Sequence, residues 1–337
     1  MTLRSALRRA AVPVVLLALF ALVAVWRYQR ELPLAGDRVE VRNERGASAR
    51  AVASRLREAG VGVGEAEFVL AATLSGATQS LRAGRYEVRR GASLRTVLAQ
   101  LRSGDTIPEK LTIVEGTTFR DLRALLAAQS ELKPATAALS DSEVLAAIGA
   151  TEPHPEGLFA PDTYFFDPGS ADLDILRQAY RAQAARLAEA WQARAPGLPL
   201  RTPYEALILA SIVEKETGQP AERATIAGVF VNRLRRGMPL QTDPTVIYGL
   251  GEKFDGNLRK GHLRADGPYN TYTRAGLPPT PISLPGADAL RAAVQPEPTR
   301  ALYFVARGDG TSEFSQTLAE HNRAVKGSSQ KTENRAR

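Results

Sequence analysis

A chain of 337 residues is long enough for about two domains, and its 44% apolar and 24% charged residues exclude a disordered or collagen-like polymer. The absence of cysteine removes disulfide scaffolds, thiol nucleophiles and cysteine-ligated metals. The three histidines, His154, His262 and His321, lie too far apart to form a local metal motif, so neither metal nor cofactor is expected. A net charge of +8 and a pI of 9.9 suit nucleic acid, anionic lipid or another polyanion, and alone do not choose among them.

Ala10 to Trp26 is a run without charge, roughly 26 Å long as a helix and so within reach of one membrane crossing. Arg4, Arg8 and Arg9 precede it, Arg27 and Arg30 follow, and Trp26 and Tyr28 stand where interfacial aromatics belong. No small-x-small cleavage site closes the run. The expectation is a cytoplasmic N-terminus over 1–9 and an uncleaved, single-pass, N-in anchor over 10–28. The rest of the chain then lies outside the cytoplasm. No strip of interleaved aromatic and basic residues appears, so a nucleic-acid partner is not expected.

Beyond a linker over 31–37, Val39-Glu40-Val41 alternates like a strand, and Ser48 can cap a helix that stops at Gly60. A second helix is predicted around Glu65–Leu74, then a strand-like stretch over Leu81–Val88, a helix from Ser93 to Leu101 and a strand over Leu111–Val114. Gly46-Ala47-Ser48 and Gly91-Ala92-Ser93 open two of the helices in the same way. On these short patterns, residues 38–116 resemble a LysM-type glycan-binding module of α+β type. A small α+β adaptor without a ligand is the alternative.

Residues 117–202 read as an alanine-rich, mainly helical connecting region, with helices over Thr118–Gln129 and Asp172–Ala195. Between them the Pro-rich stretch from Pro153 to Phe166 is too aromatic for a free linker and is predicted to pack against something. Pro196, Pro199 and Pro203 mark the next boundary, and 203–326 form the last domain. The polar tail over 327–337 is predicted to be disordered.

Tyr204–Thr217 is apolar nearly all round between Ala206 and Val213, the pattern of a buried central helix. Glu214 extends the stripe of Leu207 and Ala210, which puts a carboxyl at the mouth of a core helix, where desolvation raises its pKa and suits general-acid work. Glu216 lies about 200° further round. One of the two can catalyse while the other makes a structural contact, and a solvated helix end with paired charges is the plainer reading. A second buried helix over Ala221–Leu234 ends in Asn232-Arg233-Leu234. Asp243 before Pro244 reads as a helix N-cap with proline at N1. Tyr248 continues that helix, and His321 reads as a cap or core residue.

The blocks Glu214-Lys215-Glu216-Thr217, Asn232-Arg233-Leu234, Leu240 to Gly249, Tyr269-Asn270-Thr271-Tyr272 and Gly276-Leu277-Pro278-Pro279 closely resemble the endolytic murein transglycosylase (YceG-like) family of bacterial cell-wall lyases in order and spacing. Ala301 to Ala306 and His321-Asn322 match its closing part. The resemblance implies that Glu214 is the catalytic acid/base and Glu216 its supporting or alternative partner. Gln241, Tyr269, Asn270 and Tyr272 would line the sugar groove.

The implied architecture is α+β: a transmembrane helix, a LysM-like module and a lytic transglycosylase catalytic domain outside the inner membrane. The implied partners are peptidoglycan glycan strands, the inner membrane and peptidoglycan synthases. Hydrolytic glycosidases usually need two carboxylates, whereas a lytic transglycosylase can work with one. A lysozyme-like hydrolase using Asp243 or Glu216 to hold water, and a non-catalytic peptidoglycan-binding scaffold, are the competing readings.

Overall fold

The computed structural model describes residues 3–44, 46–216 and 219–335, and side chains in the two terminal helices only for 15–16 and from 18 to 327. It has two compact units, residues 1–110 with 165–170 and residues 111–164 with 171–337.

In the first unit, α1 (Leu3–Gln29) leads to β1 (Arg38–Asn43), α2 (Ala49–Glu58), α3 (Glu65–Leu74), β2 (Gly84–Arg89) and α4 (Leu94–Ser103). Among the described residues no helix is long and apolar enough to cross a membrane. The predicted anchor lies partly outside them, since the side chains of 10–14 and 17 are undescribed. The strand–helix–helix–strand order is the one the sequence predicts. β1 pairs antiparallel with β2, placing Val39 opposite Val88 and Val41 opposite Tyr86. Alternation along β1 turns Val39, Val41 and Asn43 inward, where the two valines join Val52, Leu56, Phe68 and Leu98 in one core. Ser48 accepts from the Ala51 amide as the N-cap of α2. Ser93 and Thr96 form a capping box on α4, which ends at a left-handed Gly104.

The second unit holds α5 (Phe119–Ala127), α6 (Asp141–Ile148), α7 (Asp172–Gln192), α8 (Pro203–Glu216), α9 (Arg223–Arg235), α10 (Asp243–Leu250), α11 (Lys260–Arg264), α12 (Ala287–Val294) and the hairpin β5 (Tyr303–Ala306) and β6 (Ser312–Ser315), followed by α13 (Leu318–Arg335). β3 (Glu109–Thr112) and β4 (Thr163–Phe166) form a two-stranded sheet. From 328 onward the predicted disordered tail lies outside the described side chains.

α8 is the axis of this unit. All eight residues from Ala206 to Val213 are buried, and α7, α9, α10 and α12 pack around it. A helix this apolar has no solvent face, so neighbours must cover it on every side. Its one buried hydroxyl, Ser211, donates to Ile208 O (2.7 Å) and accepts from the Ile282 amide (3.0 Å), while Ser283 Oγ donates to Ser211 O (3.1 Å). These bonds fasten the Pro-rich segment before α12 against the helix. Gln183 of α7 donates to Gly157 O (3.2 Å) and Pro285 O (3.0 Å), tying the 153–166 stretch to the same segment. That stretch is therefore packed, as predicted. Gly157 has φ +83°, and a Cβ there would meet Pro281 at 2.6 Å, so only glycine fits the approach.

Candidate active site

The end of α8 presents Glu214, Lys215 and Glu216 in three directions, because each residue turns the helix by about 100°. Each meets a different environment.

Glu214 turns toward the start of α12 and its side chain is 5% exposed. Its Oε1 lies 3.1 Å from Arg223 Nη2, and its Oε2 accepts from the Gly286 amide at 2.9 Å. Arg223 also faces Glu115 (3.6 Å) and Asp288 (3.7 Å). One guanidinium thus serves three carboxyls, and Glu214 is the most buried of them. Burial, the largest influence, raises its pKa, and the negative charge of Glu115 adds to that. The Gly286 amide and Arg223 act in the opposite direction without overcoming it. Gly286 is a matter of space: a Cβ would lie 1.9 Å from Glu115 Oε1. Glycine lets the amide at the head of α12 reach the carboxyls.

Glu216 turns toward the start of α10. It accepts from the Thr242 hydroxyl, and its pKa is raised by burial and by Asp243, against the opposing influence of Thr242 and Arg233. Asp243 is not the N-cap predicted for it. Thr242 occupies the cap position without a side-chain cap bond, because its hydroxyl goes to Glu216. Asp243 instead accepts from Tyr272 OH at 2.6 Å. Gln241 completes this group: its side chain accepts from Arg233 (3.4 Å), and its φ of +50° makes it the sole non-glycine residue with positive φ among those described. Such backbone strain concentrates at functional positions.

Lys215 lines a cleft of ≈ 1170 Å³, with Phe119, Glu156, Tyr248, Phe254 and Tyr269 among the other walls. Tyr269 packs edge-on against Tyr248 at 5.0 Å and hydrogen-bonds Thr280 (2.8 Å). Asn270 is placed differently. Its amide donates to the carbonyls of His262, Leu263 and Ala265, its oxygen accepts from the Tyr272 amide, and it is 5% exposed, so it closes its own loop. His321 stacks on Tyr303 at 5.3 Å. The structure therefore gathers Glu216, Gln241 and Tyr272 in one group, sets Tyr269 on the cleft, and places Glu214 with Glu115, Arg223 and Gly286.

Glu156, on the 153–166 stretch, was not singled out by sequence. It is 2% exposed and accepts from the Phe119 amide and from Tyr248 OH, both at 3.0 Å. Burial pushes its pKa up to about 7 from 4.5. The folded value lies above the unfolded one, so the folded state binds the extra proton between them and stability falls as pH rises through that window. The loss should approach ~3 kcal/mol as an upper bound. Urea unfolding of wild type and Glu156→Gln at pH 5 and pH 8 checks this: the wild type should weaken relative to the variant at pH 8, and parallel behaviour would contradict it.

An α+β domain whose central buried helix ends in two carboxyls with raised pKa values offers a candidate acid–base site. The chain belongs to the YceG-like family, whose profile matches residues 40–327. It is 33% identical over 296 residues to an endolytic murein transglycosylase of Bacillus subtilis, covering 83% of this chain and 81% of that one. It is 28% identical over 280 residues to an endolytic murein transglycosylase of Streptococcus pneumoniae, covering 73% of this chain and 50% of the relative. A crystal structure of a YceG-like protein from Listeria monocytogenes matches with TM-score 0.58 and 31% identity, covering 85% of this chain and 98% of that one.

Proposed function

We propose that the protein is an endolytic peptidoglycan lytic transglycosylase, a lyase that cuts the MurNAc–GlcNAc β-1,4 bond inside glycan strands with Glu214 as its acid/base. The observation that carries the residue choice is the buried Glu214 carboxyl at the end of α8, whose pKa is raised by burial and by Glu115 against the opposing Gly286 amide and Arg223. The relatives named endolytic murein transglycosylases support the reaction.

Glu214 gives its proton to the leaving glycosidic oxygen as the C1–O bond breaks. The resulting carboxylate takes the proton of the MurNAc C6 hydroxyl, whose oxygen bonds to C1 and closes the 1,6-anhydro ring. No water is consumed, and Glu214 ends as it began. Arg223 and the Gly286 amide steady the transient carboxylate. Glu216 holds Thr242 and thereby the strained Gln241, and Gln241, Tyr269 and Tyr272 contact the sugars.

The reading extends to the whole chain. Residues 10–28 anchor the protein in the inner membrane, N-terminus inside. Residues 38–116 form a LysM-like module that binds glycan, 117–202 connect it, and 203–326 carry the catalysis. The substrate is then nascent glycan close to the membrane, beside peptidoglycan synthases, and cutting there limits strand length. Digesting isolated glycan strands with the purified full chain tests the core of this. New internal cuts are expected, and intact strands after prolonged incubation would leave only a binding scaffold.

A further inference from the structure

The cleft beside Lys215 holds more than a sugar needs. At ≈ 1170 Å³ it exceeds the roughly 300–1,000 Å³ of ordinary small-molecule pockets. Its floor is the buried Glu156, held by the Phe119 amide and Tyr248 OH, with Phe254 and Tyr269 as aromatic walls. Its charged rim is uneven. Arg123 pairs with Asp141 (3.0 Å) and with the carbonyls of Thr136 and Leu139. Arg120 and Lys215 have no carboxylate at ion-pair distance among the described residues, and Lys215 reaches only Gly116 O at 3.3 Å. Glu252 lies on the same rim.

In a stem-bearing strand the lactyl carboxyls of the muramic acids are tied up as amides, so the acetylated sugars themselves call for stacking and hydrogen bonds, not for unpaired cations. Two such cations around one cleft call for a ligand carboxylate, and an acid on the same rim suits an ammonium group.

We propose that this cleft is a subsite for the carboxylate-bearing peptide stem attached to the muramic acid next to the scissile bond, with Arg120 and Lys215 holding the carboxylate. The proposal rests on the glycan-cleaving reading above. Lys215 adjoins Glu214 in sequence, so a stem in the cleft shares the end of α8 with the acid.

The test compares wild type with Arg120→Gln and with the Arg120→Gln/Lys215→Gln double variant. Each is assayed on strands carrying stems and on strands stripped of them by an amidase and then amidated at the freed lactyl carboxyls, so that the stripped strands carry no carboxylate. The ratio of kcat/KM for stem-bearing over stripped strands should fall about tenfold in the double variant, the size expected for losing a charged hydrogen bond, with most of the change in KM. An unchanged ratio overturns the subsite while leaving the cleavage reading intact. If wild type cuts neither strand, the cleavage reading fails.

Calorimetric titration of wild type with a soluble disaccharide-tetrapeptide and with the disaccharide amidated at its lactyl carboxyl decides the subsite in either case. Tighter binding of the stem-bearing ligand, lost in the double variant, supports it, and equal binding overturns it. Inorganic pyrophosphate is titrated in parallel as the alternative anion of a lipid-linked strand, and tighter binding than the stem-bearing ligand would also overturn the proposal. The circular-dichroism melt of each variant should match wild type, since both cations lie on the exposed rim.

Discussion

Glu214→Gln is expected to lower the rate of glycan cleavage by ~10²–10⁴-fold, the range for losing general acid–base catalysis, and by its upper end because one group serves both proton transfers. The amide keeps the volume of the side chain, and its oxygen can still accept from the Gly286 amide. It has no proton to give at the right moment and no negative charge to take one back. Folding should survive, because a neutral amide among hydrogen-bond donors costs far less than an unpaired charge. Relief of the crowding of three carboxyls around Arg223 should even raise the melting temperature slightly. Glu216→Gln should cost less activity, since its carboxyl is already engaged by Thr242. Initial rates on isolated strands, with both variants at equal concentration, distinguish the two. Near-full activity in Glu214→Gln together with a dead Glu216→Gln would move the acid two residues along the helix.

Arg233→Met should be the most destabilising single change near the site. The guanidinium is 7% exposed and donates to Leu302 O (2.6 Å), Pro239 O (3.2 Å), Leu240 O (2.9 Å) and Gln241 Oε1 (3.4 Å). It also lies 5.0 Å from the ring of Tyr303. Those carbonyls belong to the turn before α10 and to the entry of β5, so one side chain ties both to α9. Methionine fills the space but leaves the carbonyls without donors and Glu216 without its nearby cation. A loss of ~3–5 kcal/mol follows from the cost of breaking a buried charged network. Lysine should rescue little, because a point ammonium cannot reproduce the planar fork. Urea unfolding at constant pH measures the loss, and a change below ~1 kcal/mol would contradict this role, being no more than one ordinary net hydrogen bond.

What the sequence made legible was local. The buried face of α8 is written in consecutive apolar residues, and Ser48 and Ser93 announce the starts of α2 and α4 through short-range hydrogen bonds. The α+β class and the strand–helix–helix–strand order of the first unit follow from the same periodicities. At the start of α10 distant partners override the local signal. Asp243 has the composition of an N-cap, but Tyr272 takes its carboxylate from 29 residues away, and Thr242 is drawn to Glu216. α9 starts at Arg223, not Ala221, because Pro220–Glu222 forms a short 3-10 turn. Asn270 sits in a turn as a site residue would, yet its amide is used to close that turn. Arg223, Glu115 and Gly286 come from three separate stretches and meet only through packing, so no spacing rule finds them. Glu156 left a fainter trace, an acid inside a stretch too aromatic to be a linker.

The claim that one carboxyl performs both proton transfers without water is tested most directly by digesting isolated glycan strands with the wild-type protein in heavy-oxygen water and weighing the new muramic ends by mass spectrometry. The account predicts 1,6-anhydro ends that carry no solvent oxygen. New reducing ends carrying the heavy oxygen would contradict it and make the protein a hydrolase.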